Sequence, residues 1–291
     1  MHRIERLRRQ DYFADGAAKV VVNRQLKQKD MRMHGHEFAE LVIVLSGEGA
    51  HVTGGTRHHV RTGDVLFINS SRSHAYEETR ELNLANILMH EEVLRAAARE
   101  LGALPGYHAL FTLERAQWRG RGTSSFTSRL RLNEADLSQV TAWIDALKKE
   151  TERPAEGGRL LGYCWLMLIV GLLARRYGRN VEESTELEMR LARVLSWIEQ
   201  NYQRAVRVSE LAKVAATSER TLLRRFREAT GFSPVEYLIR TRIRHAAELL
   251  SRRRTGESIT EIAFRCGFED SNYFARRFRG IMGKPPREYG R

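Results

Sequence analysis

Cysteine and proline are scarce in this chain of 291 residues, which has two of the first and five of the second. Two cysteines, Cys164 and Cys266, are too few for a disulfide scaffold or a cysteine-rich zinc module. Each reads instead as a small buried residue, Cys164 in a core helix and Cys266 in a bend. Long apolar runs are also missing. The most apolar, WLMLIVGLL at 165–173, is about half of what a bilayer span needs and reads as a buried helix. The first residues, MHRIERLRRQDYF, alternate charged and apolar side chains and lack the apolar stretch of a secretory signal. No Ser-His-Asp grouping and no phosphate-cradling glycine loop stands out, so no catalytic residue is assigned and a non-enzyme is expected. These absences point to a cytoplasmic protein with no membrane partner.

What is present is apolar material enough for packed cores, 42% hydrophobic against 29% charged. The length exceeds what one core usually serves, so two domains are expected, over 1–180 and 185–291. The formal charge of +13 is uneven: residues 185–291 hold 22 basic and 13 acidic side chains, a net +9, and the remainder carries +4. A basic third of this kind attracts phosphate backbones, although a solvated basic surface would look the same by charge alone.

From Lys19 to about Met89 the pattern is short and alternating: KVVVNRQL, ELVIVLSG, GAHVTG, TRHHVRTG, DVLFINS, LNLANILM. Interrupted at Gly47, Gly49, Gly54, Gly55 and Gly63, these runs read as strands joined by tight turns in a small sandwich or barrel. Beyond residue 90 the period becomes helical. One helix is expected from Asn133, a suitable cap, and a second from about Arg159 to Tyr177. Appended helices of this kind cover a barrel's open side or pair with a second subunit, and a homodimer is the expectation. A boundary is placed at GRNVEEST, 178–185, with Ser184 or Thr185 capping a helix over about 186–202.

One phrase occurs twice in the last third. RRFREATGFSPVEY at 224–237 and RRFRGIMGKPPREY at 276–289 share eight of 14 positions at a separation of 52 residues. Upstream stand VSELAKVAATSERTLL and ITEIAFRCGFEDSNYFA, the second longer by one residue in its bend. Each reads as helix, turn, helix, with Ala212 or Ala263 small enough for the helices to cross closely and Gly267 suited to the bend. Phe226 and Phe278 are the expected core anchors, and Gly231 and Gly283 the expected helix ends. A connecting helix from Pro234 to about Ser251 would span roughly 27 Å, enough to set two helices into successive major-groove segments about 34 Å apart. The motifs are expected over about 207–231 and 258–283. Their second helices offer Arg220, Arg224 and Arg225, then Asn272, Arg276 and Arg277, to double-stranded promoter DNA. Arg pairs bidentately with guanine and Asn with adenine, while any one of these side chains could instead meet only phosphate.

Residues 185–291 resemble the DNA-binding domain of the AraC/XylS family of transcription regulators, most recognisably in ITEIAFRCGFEDSNYFARRFRGIMGKPPREY. The resemblance implies a reader of asymmetric half-sites, usually an activator beside a promoter. In similar activators, acidic residues matching Glu261 and Asp270 touch the RNA polymerase sigma subunit. Asp270 also stands where it would cap a helix beginning near Ser271.

In the first domain, HGHEFAELVIVLSG and GDVLFINSSRSH place His34, His36, Glu40 and His74 at a spacing close to the two-part cupin motif. Asn69 and Ser71 stand where cupin enzymes favour Pro and Gly. A metal-dependent cupin enzyme and a non-catalytic metal site are both open. Hydrogen bonding of a polar ligand by His34, His36, Glu40, His74 and Tyr76 is favoured, so no cofactor and no metal is assigned. The fold class expected is α+β, a cupin-like β-barrel with appended helices followed by an all-α domain with two helix-turn-helix motifs. HEFAELVIVLSGEGAHV, GDVLFI and LNLANILM further resemble the L-rhamnose operon regulators of the AraC/XylS family, which implies L-rhamnose as effector and a sugar-catabolism operon as target. A metal-dependent sensor, or a regulator of another carbohydrate or stress operon, stays open beside it.

Overall fold

The structure, a computed structural model, describes residues 4–13, 18–113, 129–152, 155–177, 186–252 and 257–289. Its contacts divide it into two compact units, Met1–Ala192 and Arg193–Arg291. The division falls inside a helix, Glu186–Asn201, whereas the tract expected to hold the boundary and the Ser184 or Thr185 cap lies outside the described residues.

The first unit opens with strand β1 (Glu5–Leu7) and a short turn of helix, α1 (Arg9–Tyr12), and continues with β2 (Val20–Gln25), β3 (Met31–His36), β4 (Ala39–Thr53), β5 (Thr56–Arg61), β6 (Asp64–Ile68) and β7 (Ser73–Met89). Helix α2 (Glu91–Leu101), helical turn α3 (Pro105–Tyr107), strand β8 (Arg129–Arg131) and helices α4 (Glu134–Glu152) and α5 (Gly158–Tyr177) complete it. The strands form one sheet in the order β1-β3-β7-β4-β6-β8, with β2 added to β7 and β5 to β4. Apart from the parallel β1–β3 pair, all the pairings are antiparallel. Val42, Val44, Val60, Leu66, Ile68, Tyr76, Leu82 and Leu84 are the buried side chains of one inner layer. This is the β-rich, cupin-like unit expected, with one difference.

ELVIVLSG and GAHVTG are a single strand, β4, that runs through Gly47 and Gly49 instead of turning at them. The ladder to β7 shifts register between Val44 and Ala50, so the glycines accommodate bulges that bend a long strand. Of these glycines, Gly54, Gly55 and Gly63 do stand in turns.

Asn133 caps α4 through Oδ1, which accepts from the Asp136 amide at 2.8 Å. Helix α5 is long and apolar enough by composition to cross a membrane, yet it buries Leu166, Ile169, Val170 and Leu173 against its own unit. It is apolar on nearly every side and buries only one. Cys164 falls with Leu161 and Leu168 on the other, so it is exposed and not the core residue expected.

The second unit begins within α6 (Glu186–Asn201) and holds α7 (Val208–Val214), α8 (Glu219–Thr230), α9 (Pro234–Ser251), α10 (Ile259–Arg265) and α11 (Ser271–Met282). The repeated phrase is a repeated structure: α7 and α10 have 7 residues each, and α8 and α11 have 12. The extra residue lies in the second bend. Phe226 and Phe278 are fully buried, as are Ala212 and Ala263 where the paired helices cross. Buried Cys266 packs with Ile262, Phe268 and Phe274, and burial pushes its thiol up to about 11. Helix α9 occupies the predicted span, and Gly231 and Gly283 both end their helices in the left-handed conformation.

Candidate effector pocket and nucleic-acid interface

Helix α8 starts at Ser218, whose Oγ accepts from the Thr221 amide at 3.3 Å. Helix α11 starts at Asp270, whose carboxylate accepts from the Tyr273 amide. These caps fix where each second helix begins and so which residues share its outer face. Arg220 and Arg224, four apart, are exposed on α8, and Asn272 and Arg276 are exposed with the same spacing on α11. Arg224 and Arg225 both reach Glu228, at 3.0 and 3.3 Å, partners that phosphate or a base edge can displace because all three are solvated. Arg225 is only partly exposed.

Arg277 departs from the outward placement expected of it. It turns against the connecting helix and pairs with Glu236 of α9, a tie between α11 and α9 rather than a group held out to a ligand. Arg227 and Arg279, which sequence reasoning passed over, are exposed near the ends of α8 and α11.

Both acidic residues singled out in the second motif are helix caps. Glu261 accepts from the Ser258 amide at 2.8 Å while Ser258 Oγ accepts from the Glu261 amide at 3.1 Å, a reciprocal capping box, and Asp270 caps α11. The amide contacts of Glu261 hold its carboxyl below the usual carboxylate range.

In the first unit, β3 and β7 bring His34, His36, His74 and Tyr76 together, and β4 adds Glu40. His34 and His74 are directly paired across the β3–β7 ladder. All five are buried. Nδ1 of His36 lies 3.0 Å from Phe38 O, and Nδ1 of His34 lies 3.0 Å from Arg32 O. Those nitrogens therefore carry the ring hydrogens, which leaves both Nε2 atoms as lone pairs when the rings are neutral. His36 Nε2 and His74 Nε2 are 3.1 Å apart, and Glu40 Oε2 is 3.3 Å from the first and 3.4 Å from the second. Burial opposes ionisation of Glu40, but the two imidazoles outweigh it and hold the carboxyl well below the usual range. Burial pushes the Tyr76 hydroxyl the other way, with the Glu40 charge adding to it.

A cavity of about 50 Å³ opens beside this cluster. His34, Glu40, His74 and Tyr76 line it, as do Asn23, Gln25, Gln28 and Asn86, with Leu7, Tyr12, Met31, Phe38 and Leu88 as the apolar wall. His36 stays behind, its ring stacked on Phe38 at a centroid distance of 5.1 Å. Tyr76 Oη and Asn86 Oδ1 are buried and have no hydrogen-bond partner among the described residues. Leaving a buried donor or acceptor unpaired costs about 1–3 kcal/mol, so two such atoms facing one cavity mark a place where a polar ligand supplies the missing bonds. Asn23, Gln25, Asn86 and the buried His51, whose Nε2 lies 3.2 Å from His74 Nδ1, were missed. Asn86 had a signal: it shares a strand face with Leu84 and Leu88, a polar residue on an apolar side.

Two family models match the chain, one in each unit. Residues 211–291 match the family model described as a helix-turn-helix domain, and 20–161 match the one described as an AraC-like ligand binding domain. The chain is 33% identical to the HTH-type transcriptional activator RhaS of Klebsiella pneumoniae (strain 342), over 96% of this chain and 94% of that one. It is 32% identical, with the same coverage, to the activator of that name from Enterobacter sp. (strain 638). Among solved structures, ToxT from Vibrio cholerae matches with 14% identity over 94% of this chain and 98% of its own, at a TM-score of 0.34.

Proposed function

The chain belongs to the AraC/XylS family of transcription regulators, is a RhaS-like activator carrying a helix-turn-helix DNA-binding domain, and from that premise we propose that it activates a sugar-catabolism operon in response to L-rhamnose. The observation that carries the effector assignment is the cavity with two buried, unpartnered polar atoms. Tyr76 Oη and Asn86 Oδ1, flanked by the amides of Asn23, Gln25 and Gln28, suit a ligand rich in hydroxyls, and Leu7, Leu88 and Phe38 suit its carbon face. A sugar that favours one of two arrangements of the regulator shifts its promoter occupancy by its difference in affinity for them. The proposal includes a cytoplasmic setting, non-enzymatic action and a homodimer in which the exposed Leu161 and Leu168 of α5 meet a second copy. A monomer in sedimentation would remove the last point.

Thermal unfolding of the full chain against a panel of sugars tests the effector. A ligand at 100 times its Kd stabilises by about 2.7 kcal/mol, a rise in Tm of roughly 5–10 °C for a unit of this size. L-rhamnose is expected to raise Tm where other sugars do not, and Tyr76→Phe to reduce the rise. An equal response to every sugar, or none, removes L-rhamnose from the assignment.

For the polymerase sigma subunit, we infer that Glu261 and Asp270 remain available although they cap helices, because Glu261 is exposed on the first turn of α10 and Asp270 lies just before α11. Glu261→Gln keeps a capping acceptor and removes the charge. Transcription is expected to fall with operator affinity unchanged. A matching loss of affinity would make Glu261 a structural residue only.

A further inference from the structure

Glu228 stands where helix stability alone would not put it. Helix α8 ends at Thr230, so this carboxylate lies in the last turn, at the negative end of the helix dipole. Its i, i+4 pair with Arg224 also runs in the weaker order, with the arginine ahead of the glutamate. What Glu228 does is hold two arginines. Its Oε1 accepts from Nη1 of Arg224 at 3.0 Å, and its Oε2 accepts from Nη1 of Arg225 at 3.3 Å. Arg225 is only partly exposed, so it steadies the carboxylate from the flank of the helix while Arg224 reaches it from the exposed face.

The second motif is built differently. Aligned on the repeated phrase, Gly280 matches Glu228. Arg277, the counterpart of Arg225, is taken by Glu236 of α9. Arg276 lies over the Tyr273 ring at 5.7 Å, and α11 has no carboxylate anywhere along its 12 residues. The two motifs therefore differ beside the arginine that each offers to DNA. Arginine carries five N–H donors in a rigid fork. With one on Nη1 committed to Glu228, the edge formed by Nε and Nη2 is left for the O6 and N7 acceptors of guanine, so the pair orients Arg224 without using the donors that read a base. Phosphate acts the other way. It competes with the carboxylate for the same guanidinium and repels it, which weakens the hold of Arg224 and Arg225 on the backbone of unrelated DNA.

We infer that Glu228 is a positioning residue that makes the first motif discriminating, by aiming Arg224 at a guanine and by holding both arginines back from phosphate. The second motif, with glycine in that place, supplies more of the sequence-independent attraction. The inference rests on Arg224 as a base reader and names the residue that directs it.

The test is Glu228→Gln in the full-length protein, which keeps the shape of the side chain and removes its charge. Affinity is measured, over a range of salt concentrations, for an operator selected from randomised DNA, for operators altered at the base pair where Arg224→Ala loses preference, and for an unrelated duplex. Preference at that base pair is expected to fall by roughly 3- to 10-fold, a modest coupling for side chains in contact. Affinity for the unrelated duplex is expected to rise, with a log–log salt slope steeper by about 1. Preference at the base pair read by Arg276 is expected to stay the same. Glu219→Gln removes an equal charge from the exposed start of α8 and is expected to leave both preferences intact. Unchanged preference at the Arg224 base pair, in Glu228→Gln protein that is folded by circular dichroism, overturns the inference and leaves Arg224 standing as a base reader. An equal loss of preference in Glu219→Gln also overturns it, because net charge would then be the cause. A uniform loss across all operators in Arg224→Ala removes the base reading itself, and the inference with it.

Discussion

Gly267→Ala is expected to lower the stability of the C-terminal unit by at least about 3 kcal/mol, and Gly283→Ala by only about 1–2 kcal/mol. Both residues are left-handed, with φ of +85 and +77 degrees, so the strain of placing an L side chain there is nearly the same. They differ in what a Cβ would meet. At Gly283 it meets nothing within 4 Å among the described residues, whereas at Gly267 it would lie 2.6 Å from Gln203 O and 2.8 Å from Tyr202 O. Those carbonyls cannot retreat freely. Arg242 donates to Tyr202 O at 2.7 Å and to Arg204 O at 2.8 Å, pinning the segment after α6 against α9. The first motif supports the distinction, since Ala216 stands in the matching bend at a φ of +47 degrees. A left-handed bend there tolerates a side chain. The urea concentration at which the full chain releases its operator measures the effect, and equal shifts for the two variants would show that backbone crowding at Gly267 contributes nothing.

That contrast marks how far the sequence could be read. The repeat of RRFR, Gly, Pro, Glu and Tyr located both motifs, the connecting helix and the buried phenylalanines, because helix period, caps and terminal glycines are local signals. Gly267 was legible as a bend residue but not as the residue crowded by Gln203, which lies 64 positions away in the chain. The same limit explains β4. Gly47 and Gly49 looked like turns, and only the pairing with β7 shows a continuous strand with bulges. In the pocket, His34, Glu40, His74 and Tyr76 could be proposed from their spacing, but Asn23 could not. It reaches the cavity because β2 pairs with β7 in a register that sets Asn23 opposite Asn86, a fact of tertiary pairing. Arg277 shows the reverse failure. By sequence it is equivalent to Arg225, yet Glu236 on α9 claims it.

The second large effect concerns base reading. Arg224→Ala and Arg276→Ala are each expected to cost about 1–3 kcal/mol at particular base pairs, up to roughly a 150-fold loss of affinity for the preferred operator. The loss should nearly vanish on operators altered at those same pairs. Both arginines are exposed on the second helix of a motif, and their intramolecular contacts are weak: Arg224 to Glu228 at 3.0 Å, and Arg276 over the Tyr273 ring at 5.7 Å. Neither is needed to hold the fold. The two motifs share α9 as a spacer of roughly 27 Å, so their base pairs should fall in successive major-groove segments about one helical turn apart.

The measurement that bears most directly on the whole account is therefore a footprint and affinity series on an operator selected from randomised DNA, with the full-length protein and these two variants. Two protected segments about 10 base pairs apart on one face of the duplex are expected. Arg224→Ala is expected to relax preference within one segment and Arg276→Ala within the other. Protection of a single segment, or a uniform loss across all operators in both variants, would contradict two base-reading motifs and leave only a basic surface that binds phosphate.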